Sequence, residues 1–477
     1  MDTSSVFSLI FSVIYPLLIV GTIFVVVSEN RNPTKTVAWL LVLVFLPAIG
    51  LVVYFVFGQD SRKKRRKDPL YHDFLQKIYA SFPENDENPH WENHAKQVRK
   101  EYKTLVDLLE KNDDSQTTYG NEVEIITKGT RKFDALVEDM ENAKHHIHVE
   151  YFYFKKDAIG KKIKEILMNK ASQGVEVRFI HENIANITVL PYFYNEMKKA
   201  GVEVVPFCKA SFPWIRRQLN YRDHRKIVVI DGKTAYTGGM NIGDEYVNLW
   251  RDTHLRIKGQ AVNMLQSTFL YYFLCSGGKE IADFRPYFLP QKNYSDNLMQ
   301  IVPESPASCW SYLRLSMIHL INIAQRYIYI QTPYYLPSEP LLEALQTAAL
   351  RGVDVRIMIS AKSDFFFMDP AIHSYYEQSL QAGIKIYERF DTFIHAKTLV
   401  ADDYLSVIGS ANMDFRSMEQ SFEINCYMYD EHLALENKYI FVQEMDVCTE
   451  LTLEQWAKRP WYKKITESIM RLFSPLL

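Results

Sequence analysis

The stretch "FIHAKTLVAD" (residues 393–402) sets a histidine two residues before a lysine in an otherwise apolar run. In a strand, alternate side chains leave on one face, so His395 and Lys397 are expected to project together. A polar strand end would explain one such pair. The chain carries it twice. "DHRKIVVID" (223–231) has the spacing H-x-K-x4-D at His224, Lys226 and Asp231, matching His395, Lys397 and Asp402. Downstream, "GGMN" ends at Asn241 and "GSAN" at Asn412, and all four positions are offset by 171 residues. A duplicated core accounts for repeated apolar residues, but not for repeated polar ones of types that normally face solvent.

The flanking patterns repeat too. "AQRYIYIQTPYYL" parallels "AKHHIHVEYFYF", and "LLEALQTAALRGVDVRIMI" parallels "KIKEILMNKASQGVEVRFI". A repeat this long is a duplicated lobe, not a solenoid unit. Short apolar strands between amphipathic helices predict an α/β fold in which each lobe is a mixed sheet flanked by helices. The lobes are expected over 119–290 and 291–477, meeting at a pseudo-twofold site to which each gives half.

Metal ligation is one reading of a His and Asp set. Each histidine, however, shares its strand face with a lysine, whose charge opposes a bound cation. Two His, two Lys and two Asn in one place suit an oxyanion, phosphate above all. The lysines and asparagines would stabilise the non-bridging oxygens. One imidazole would attack phosphorus while the other protonates the leaving oxygen. No metal and no cofactor are expected. Asp252 in "WRDTH" and Glu423 in "SFEIN" are again 171 apart.

Composition is that of a globular protein, with 47% hydrophobic and 23% charged residues. A net charge of −2 carries no global nucleic-acid signature. Five scattered cysteines (Cys208, Cys275, Cys309, Cys426, Cys448) have no CxxC spacing and read as buried spectator thiols in a reducing compartment.

The N-terminal region differs. Residues 6–27 and 37–58 are two uncharged apolar runs of 22 residues each. At about 1.5 Å per residue each is long enough for a hydrocarbon core of about 30 Å. A cleaved signal peptide is the rival for the first run, weakened because "MDTSS" has no basic residue. The expectation is a transmembrane hairpin in 1–60, followed by a basic and polar linker with a helix over 61–118. The run Arg62, Lys63, Lys64, Arg65, Arg66 and Lys67 would put the catalytic part on the cytoplasmic side, beside anionic headgroups.

With these residues in view, the chain resembles the phospholipase D superfamily, and nearly end to end the bacterial cardiolipin synthases within it. "NYRDHRKIVVIDGKTAYTGGMNIGDEY", "FIHAKTLVADDYLSVIGSANMDFRSMEQSFEIN" and the apolar hairpin carry the resemblance. It implies a multi-pass protein of the bacterial cell membrane that moves a phosphatidyl group from one phosphatidylglycerol to another through a phosphohistidine, giving cardiolipin and glycerol. A lipid hydrolase, or a transferase with another acceptor alcohol, would use the same residues; a nuclease would want a basic groove and no hairpin. The resemblance makes His224 and His395 nucleophile and general acid/base, with Lys226, Lys397, Asn241 and Asn412 on phosphate. Ser410 would assist, although Gly239 holds the matching place. Asp231 and Asp402 complete the motif set, bracing strand ends more than touching substrate. Asp252 and Glu423 would orient the histidines, and Glu150 and Gln331 are candidates to line the pocket. The partners implied are phosphatidylglycerol and cardiolipin, with no nucleic acid.

Two segments stay open between lobe packing and a lipid interface. One is the apolar tip Phe212, Trp214 and Ile215 with its collar Arg216 and Arg217. The other is the final helix, "WAKRPWYKKITESIMRLFSPLL" (456–477). The loop "FIHENIANIT" after a lobe-one strand departs from the family pattern with Asn183 and Asn186.

Overall fold

A computed structural model describes residues 15–28, 33–46, 69–83, 100–112 and 115–476, apart from 188, 190 and 208–220, with a few single residues elsewhere. The basic run 61–67 and the tip Phe212–Arg217 lie outside the described residues.

The larger unit of the chain contains both lobes. Lobe one is a seven-stranded sheet in the order Glu122–Ile126, His254–Lys258, Thr234–Gly238, Lys226–Ile230, His146–Tyr151, Glu176–His181, Glu203–Pro206. Lobe two repeats the order with Leu298–Glu304, Ser421–Tyr429, Leu405–Gly409, Thr398–Ala401, Tyr327–Gln331, Asp354–Ser360 and Lys385–Arg389. Two further strands, Thr117–Thr118 and Cys448–Leu451, extend its edges. Central strands such as Lys226–Ile230 are buried at every position, as sheets covered on both faces require.

Residues of the helices Gly129–Glu141 and Ala158–Ser172 pack on one face of the first sheet (Phe133, Leu136, Ile163, Leu167). The helix Ala261–Cys275 packs on the other, where Leu265 and Phe269 join Met299, Ile424 and Met428 of lobe two in one core. That shared core holds the two sheets together at a depth that excludes water.

The motif strands reach across. Arg222–Asp223 pairs in parallel with Ser421–Phe422 of lobe two, and Phe393–Ile394 pairs in parallel with Trp250–Arg251 of lobe one. Each histidine is therefore delivered by a short segment hydrogen-bonded to the opposite lobe. His224 N–H donates to the Phe422 carbonyl at 2.9 Å, and His395 N–H to that of Arg251 at 2.7 Å.

The smaller unit contains the helices Tyr15–Ser28 and Pro33–Phe45. They pack together around Val26, Leu43 and Tyr54 and leave Leu17, Phe24 and Phe45 exposed. The expected spans 6–27 and 37–58 run partly outside the described residues. Among the described residues no helix is long and apolar enough to cross a membrane.

The four described cysteines form no disulfide with one another, and Cys275 and Cys309 are exposed, against the expectation of buried thiols.

Candidate active site

His224 and His395 each turn Nδ1 to a carboxylate of the other lobe. His395 Nδ1 lies 2.7 Å from Asp252 Oδ2, and His224 Nδ1 lies 3.0 and 3.1 Å from the two Glu423 oxygens. The carboxylate holds the proton on Nδ1 and leaves the Nε2 lone pair for chemistry. Lys226 Nζ donates to the His224 carbonyl at 2.5 Å, and Lys397 Nζ to the His395 carbonyl. An ammonium has three donors, so each lysine keeps capacity for a bound oxyanion.

Burial governs the electrostatics. Desolvation, followed by the neighbouring ammonium of Lys397, pulls His395 down to about 3. Desolvation, then Lys226, Lys397 and Arg416, holds His224 well below its ordinary value. Both imidazoles are thus neutral in the protein before substrate binds. Desolvation also lowers Lys226 to about 7 and Lys397 to about 8. It raises Glu423 to about 7, against the pull of Lys226 and the Ser410 hydroxyl.

The two halves are not chemically identical. Ser410 Oγ donates to Glu423 Oε2 at 2.5 Å and accepts from Ile424 N at 2.9 Å, so both of its roles are spent on holding the carboxylate. In lobe one the same place is Gly239, where an added Cβ would lie 2.0 Å from Asp252 Oδ1. The Asp252 carboxylate takes that space, and its Oδ1 accepts from Thr253 N at 2.7 Å. Serine is absent from lobe one because its acid stands there.

Other expected residues sort themselves. Asn412 is buried; its Oδ1 meets no partner but can only accept, so a phosphate oxygen would have to take an N–H of its Nδ2. Asn241 is held at both ends, Oδ1 by Tyr153 N at 3.2 Å and Nδ2 by the Tyr246 hydroxyl at 2.6 Å. The motif aspartates, counted in the catalytic set, are engaged elsewhere. Asp231 accepts from the backbone N–H groups of Lys144, His145 and His146, and Asp402 from those of Gln325, Arg326 and Tyr327. They tie the starts of two strands to the motif strands, at φ of 53° and 54°. Glu150 does not line a pocket: it is fully buried against the Arg225 guanidinium at 2.7 Å. Gln331 is buried too, donating to Glu444 at 3.1 Å, and lines a small cavity with Lys397, Thr398 and Asn425.

An aromatic wall escaped the sequence reading. Phe152 stands edge-on to His224 with centroids 4.9 Å apart, and Tyr246 and Trp250 flank His395 at 5.5 and 5.4 Å. Phe393, 6.1 Å from His395, leads to Tyr334, whose hydroxyl bonds Asp364 at the start of the exposed run Phe365–Phe367. The departing loop has a structural explanation. Asn186 is buried and clips the Phe152 and Glu182 carbonyls and Phe154 N, while Asn183 is exposed. Three polar bonds thereby fix the backbone behind Phe152.

Comparisons with known proteins agree with this geometry. The family described as "Cardiolipin synthase, PLD-like domain" matches residues 136–271 and 317–445, and "Phospholipase_D-nuclease N-terminal" matches 17–59. A cardiolipin synthase of Listeria welshimeri is 37% identical, covering 97% of this chain and 98% of that protein. The major cardiolipin synthase of Bacillus subtilis is 36% identical, covering 99% and 100%. Among solved structures, phosphatidylserine synthase of Haemophilus influenzae superposes with a TM-score of 0.58 over 78% of this chain and 97% of that one; at 15% identity it speaks to the fold alone. With the paired motifs, the duplicated sheets and full-length relatives in accord, the chain belongs to the cardiolipin synthase family of phospholipase D-like enzymes.

Proposed function

We propose that the protein makes cardiolipin by transferring a phosphatidyl group between two phosphatidylglycerols. The observation that carries this reading is the crossed pairing of two histidines with two carboxylates around two buried lysines.

His224 Nε2 attacks phosphorus of the first phosphatidylglycerol. The bond from phosphorus to the headgroup glycerol breaks, and the departing oxygen takes a proton from His395 Nε2. The second phosphatidylglycerol then gives its headgroup hydroxyl proton to His395 while its oxygen displaces His224, yielding cardiolipin. Lys226, Lys397 and the Asn412 Nδ2 group donate to the non-bridging oxygens; Asp252, Glu423 and Ser410 orient the histidines. The assignment follows from the acids. Asp252, at 2.7 Å, suits a histidine that must carry a positive charge. Glu423, raised to about 7, favours an imidazolium less and helps keep His224 unprotonated before attack. Before substrate binds His395 is neutral, and it takes up a proton from solvent as the anionic phosphodiester, whose charge offsets the lysines, binds beside it.

The apolar runs 6–27 and 37–58 anchor the chain in the bacterial cell membrane as a hairpin within 1–60. The linker 61–118 follows, with its basic run at anionic headgroups, and then the lobes 119–290 and 291–477 on the cytoplasmic side. The likeness of 17–59 to a family N-terminal segment and the exposed apolar side chains of both helices support this. Following lipid products in phosphatidylglycerol vesicles tests the reaction. Cardiolipin with free glycerol is expected; phosphatidic acid alone would mean hydrolysis, and no turnover would end the proposal.

A further inference from the structure

The last helix of the chain is docked with its charged face inward. Trp461–Arg471 buries a single residue, Glu467. Its carboxylate meets the Arg459 guanidinium at 3.0 Å, and Arg459 also reaches Glu377 at 3.4 Å and lies over the Trp456 ring at 3.9 Å. Arg471 donates to the Ser374 carbonyl at 3.1 Å and stacks over Tyr375 at 4.5 Å. Polar contacts on this face hold the helix to lobe two.

The opposite face is apolar and open. At about 100° per residue, Trp461, Ile465, Ile469 and Leu472 fall within one quadrant of the helix, roughly opposite Glu467. They are 73%, 50%, 51% and 77% exposed. A surface helix normally turns such a stripe to the core. Here the core side is taken by the Glu467 ion pair and by Met470, so the stripe is available to something outside the fold. Of the basic residues in 458–471, Arg459 and Arg471 face inward and Lys458 pairs with Glu454, while Lys463 and Lys464 stand on the helix between the inward face and the stripe. An apolar stripe beside Lys463 and Lys464 complements an anionic bilayer surface, where rings and aliphatic groups enter the interface and lysines meet headgroup phosphates. The helix also bears on the site. The turn Ser474–Leu476 that follows it packs on the short helix Phe415–Glu419, which begins just after Asn412 and Asp414.

We propose that the helix Trp461–Arg471 is an interfacial anchor that lies in an anionic lipid surface through Trp461, Ile465, Ile469 and Leu472, and holds the lobe-two wall of the site against its lipid substrate. This rests on the reading of the protein as a lipid phosphatidyltransferase.

The test uses the full-length protein reconstituted in vesicles of phosphatidylglycerol and phosphatidylcholine. Brominated acyl chains quench indole fluorescence on contact. The quenched fraction is expected to fall when Trp461→Phe replaces the parent; an unchanged fraction would overturn the proposal whether or not the protein turns over lipid. The second arm compares Ile465→Ser/Ile469→Ser with the parent on vesicular phosphatidylglycerol and on a short-chain phosphatidylglycerol below its micelle concentration. A drop of about tenfold on vesicles with the monomeric rate within about twofold is expected. Equal losses on both, or none on either, would refute the anchor. A change in particle mass on the double substitution would reassign the stripe to self-association and also refute it. Absence of cardiolipin from the parent itself would sink the enzymatic reading while leaving the quenching arm to judge the helix.

Discussion

Asp252 of lobe one holds the Nδ1 of His395 in lobe two at 2.7 Å, and the reciprocal pair, Glu423 with His224, closes at 3.0 Å. Neither lobe has a complete catalytic unit. Gene duplication alone would give each lobe its own histidine and acid; here the acids are exchanged, so the chemistry exists only when both lobes are packed. Asp252→Asn keeps the shape but can donate an N–H to Nδ1 and force the wrong tautomer. Its kcat is expected to fall about 10³-fold or more with the fold intact, by the logic of other carboxylate-oriented histidines. Steady-state turnover alongside thermal unfolding checks this, and an undiminished kcat would mean that the exchanged acid has no part in orienting His395.

Lysine ionisation sets the alkaline side of the pH profile. Burial lowers Lys226 to about 7 and Lys397 to about 8. As pH rises through this window the free enzyme loses the charges that bind phosphate, so kcat/KM is expected to decline well below the pH where ordinary lysines titrate. The nucleophile contributes no acid limb near neutrality, because burial and the neighbouring lysines hold His224 well below its ordinary value and keep it unprotonated. A profile of kcat/KM measured from pH 5 to 10 decides it. Lys226→Arg, whose guanidinium does not titrate, should move the limb upward even where its rate is lower.

Much of this site was legible in the chain. The 171-residue offset predicted the repeated sheets, the shared site and both acids. What the offset could not show was direction: it pairs Asp252 with Glu423, but not which histidine each serves. That depends on the short parallel ladders Phe393–Ile394 with Trp250–Arg251 and Arg222–Asp223 with Ser421–Phe422, two residues per strand and too short to leave a periodic signal. The wall residues Phe152, Tyr246 and Trp250 were hidden among the many aromatics of the chain, since only tertiary packing distinguishes a ring beside a catalytic histidine from one in the core. Glu150 misled for the same reason. A carboxylate on a central strand signals a partner, and the partner was Arg225 inside the motif itself.

The place of Gly239 gives a sharp steric test. An added Cβ there would sit 2.0 Å from Asp252 Oδ1, well inside contact distance. Gly239→Ala is expected to push the carboxylate away from His395 and reduce kcat by about 10²-fold or more. In the matching place Ser410→Ala removes one hydrogen bond to Glu423 and frees space, so its loss should be about tenfold or less. Parallel turnover measurements distinguish them. Equal effects would mean that the asymmetry between the two acids has no catalytic consequence.

Asp231 separates folding from chemistry. Its carboxylate accepts from three consecutive backbone N–H groups at 2.7 to 3.1 Å, and against the upward push of partial burial those bonds hold its pKa below the ordinary carboxylate range. A folded-state value lowered in this way stabilises the protein fully above the unfolded carboxyl's range, and the contribution is lost as pH falls through the folded value. Asp231→Ala strands those N–H groups and places a methyl side chain at φ 53°, where aspartate is tolerated through its local bonding. A loss of about 1–3 kcal/mol in unfolding free energy follows for the variant at neutral pH. The difference from the parent should shrink toward strongly acidic pH, where the parent's carboxylate is itself protonated. Turnover per folded molecule should stay near the parent's, because the carboxylate is bonded to the strand start at Lys144–His146 and does not meet either histidine's Nδ1. Denaturant unfolding at two pH values, with activity normalised to the folded fraction, measures both. A variant as stable as the parent but inactive would return Asp231 to the catalytic set.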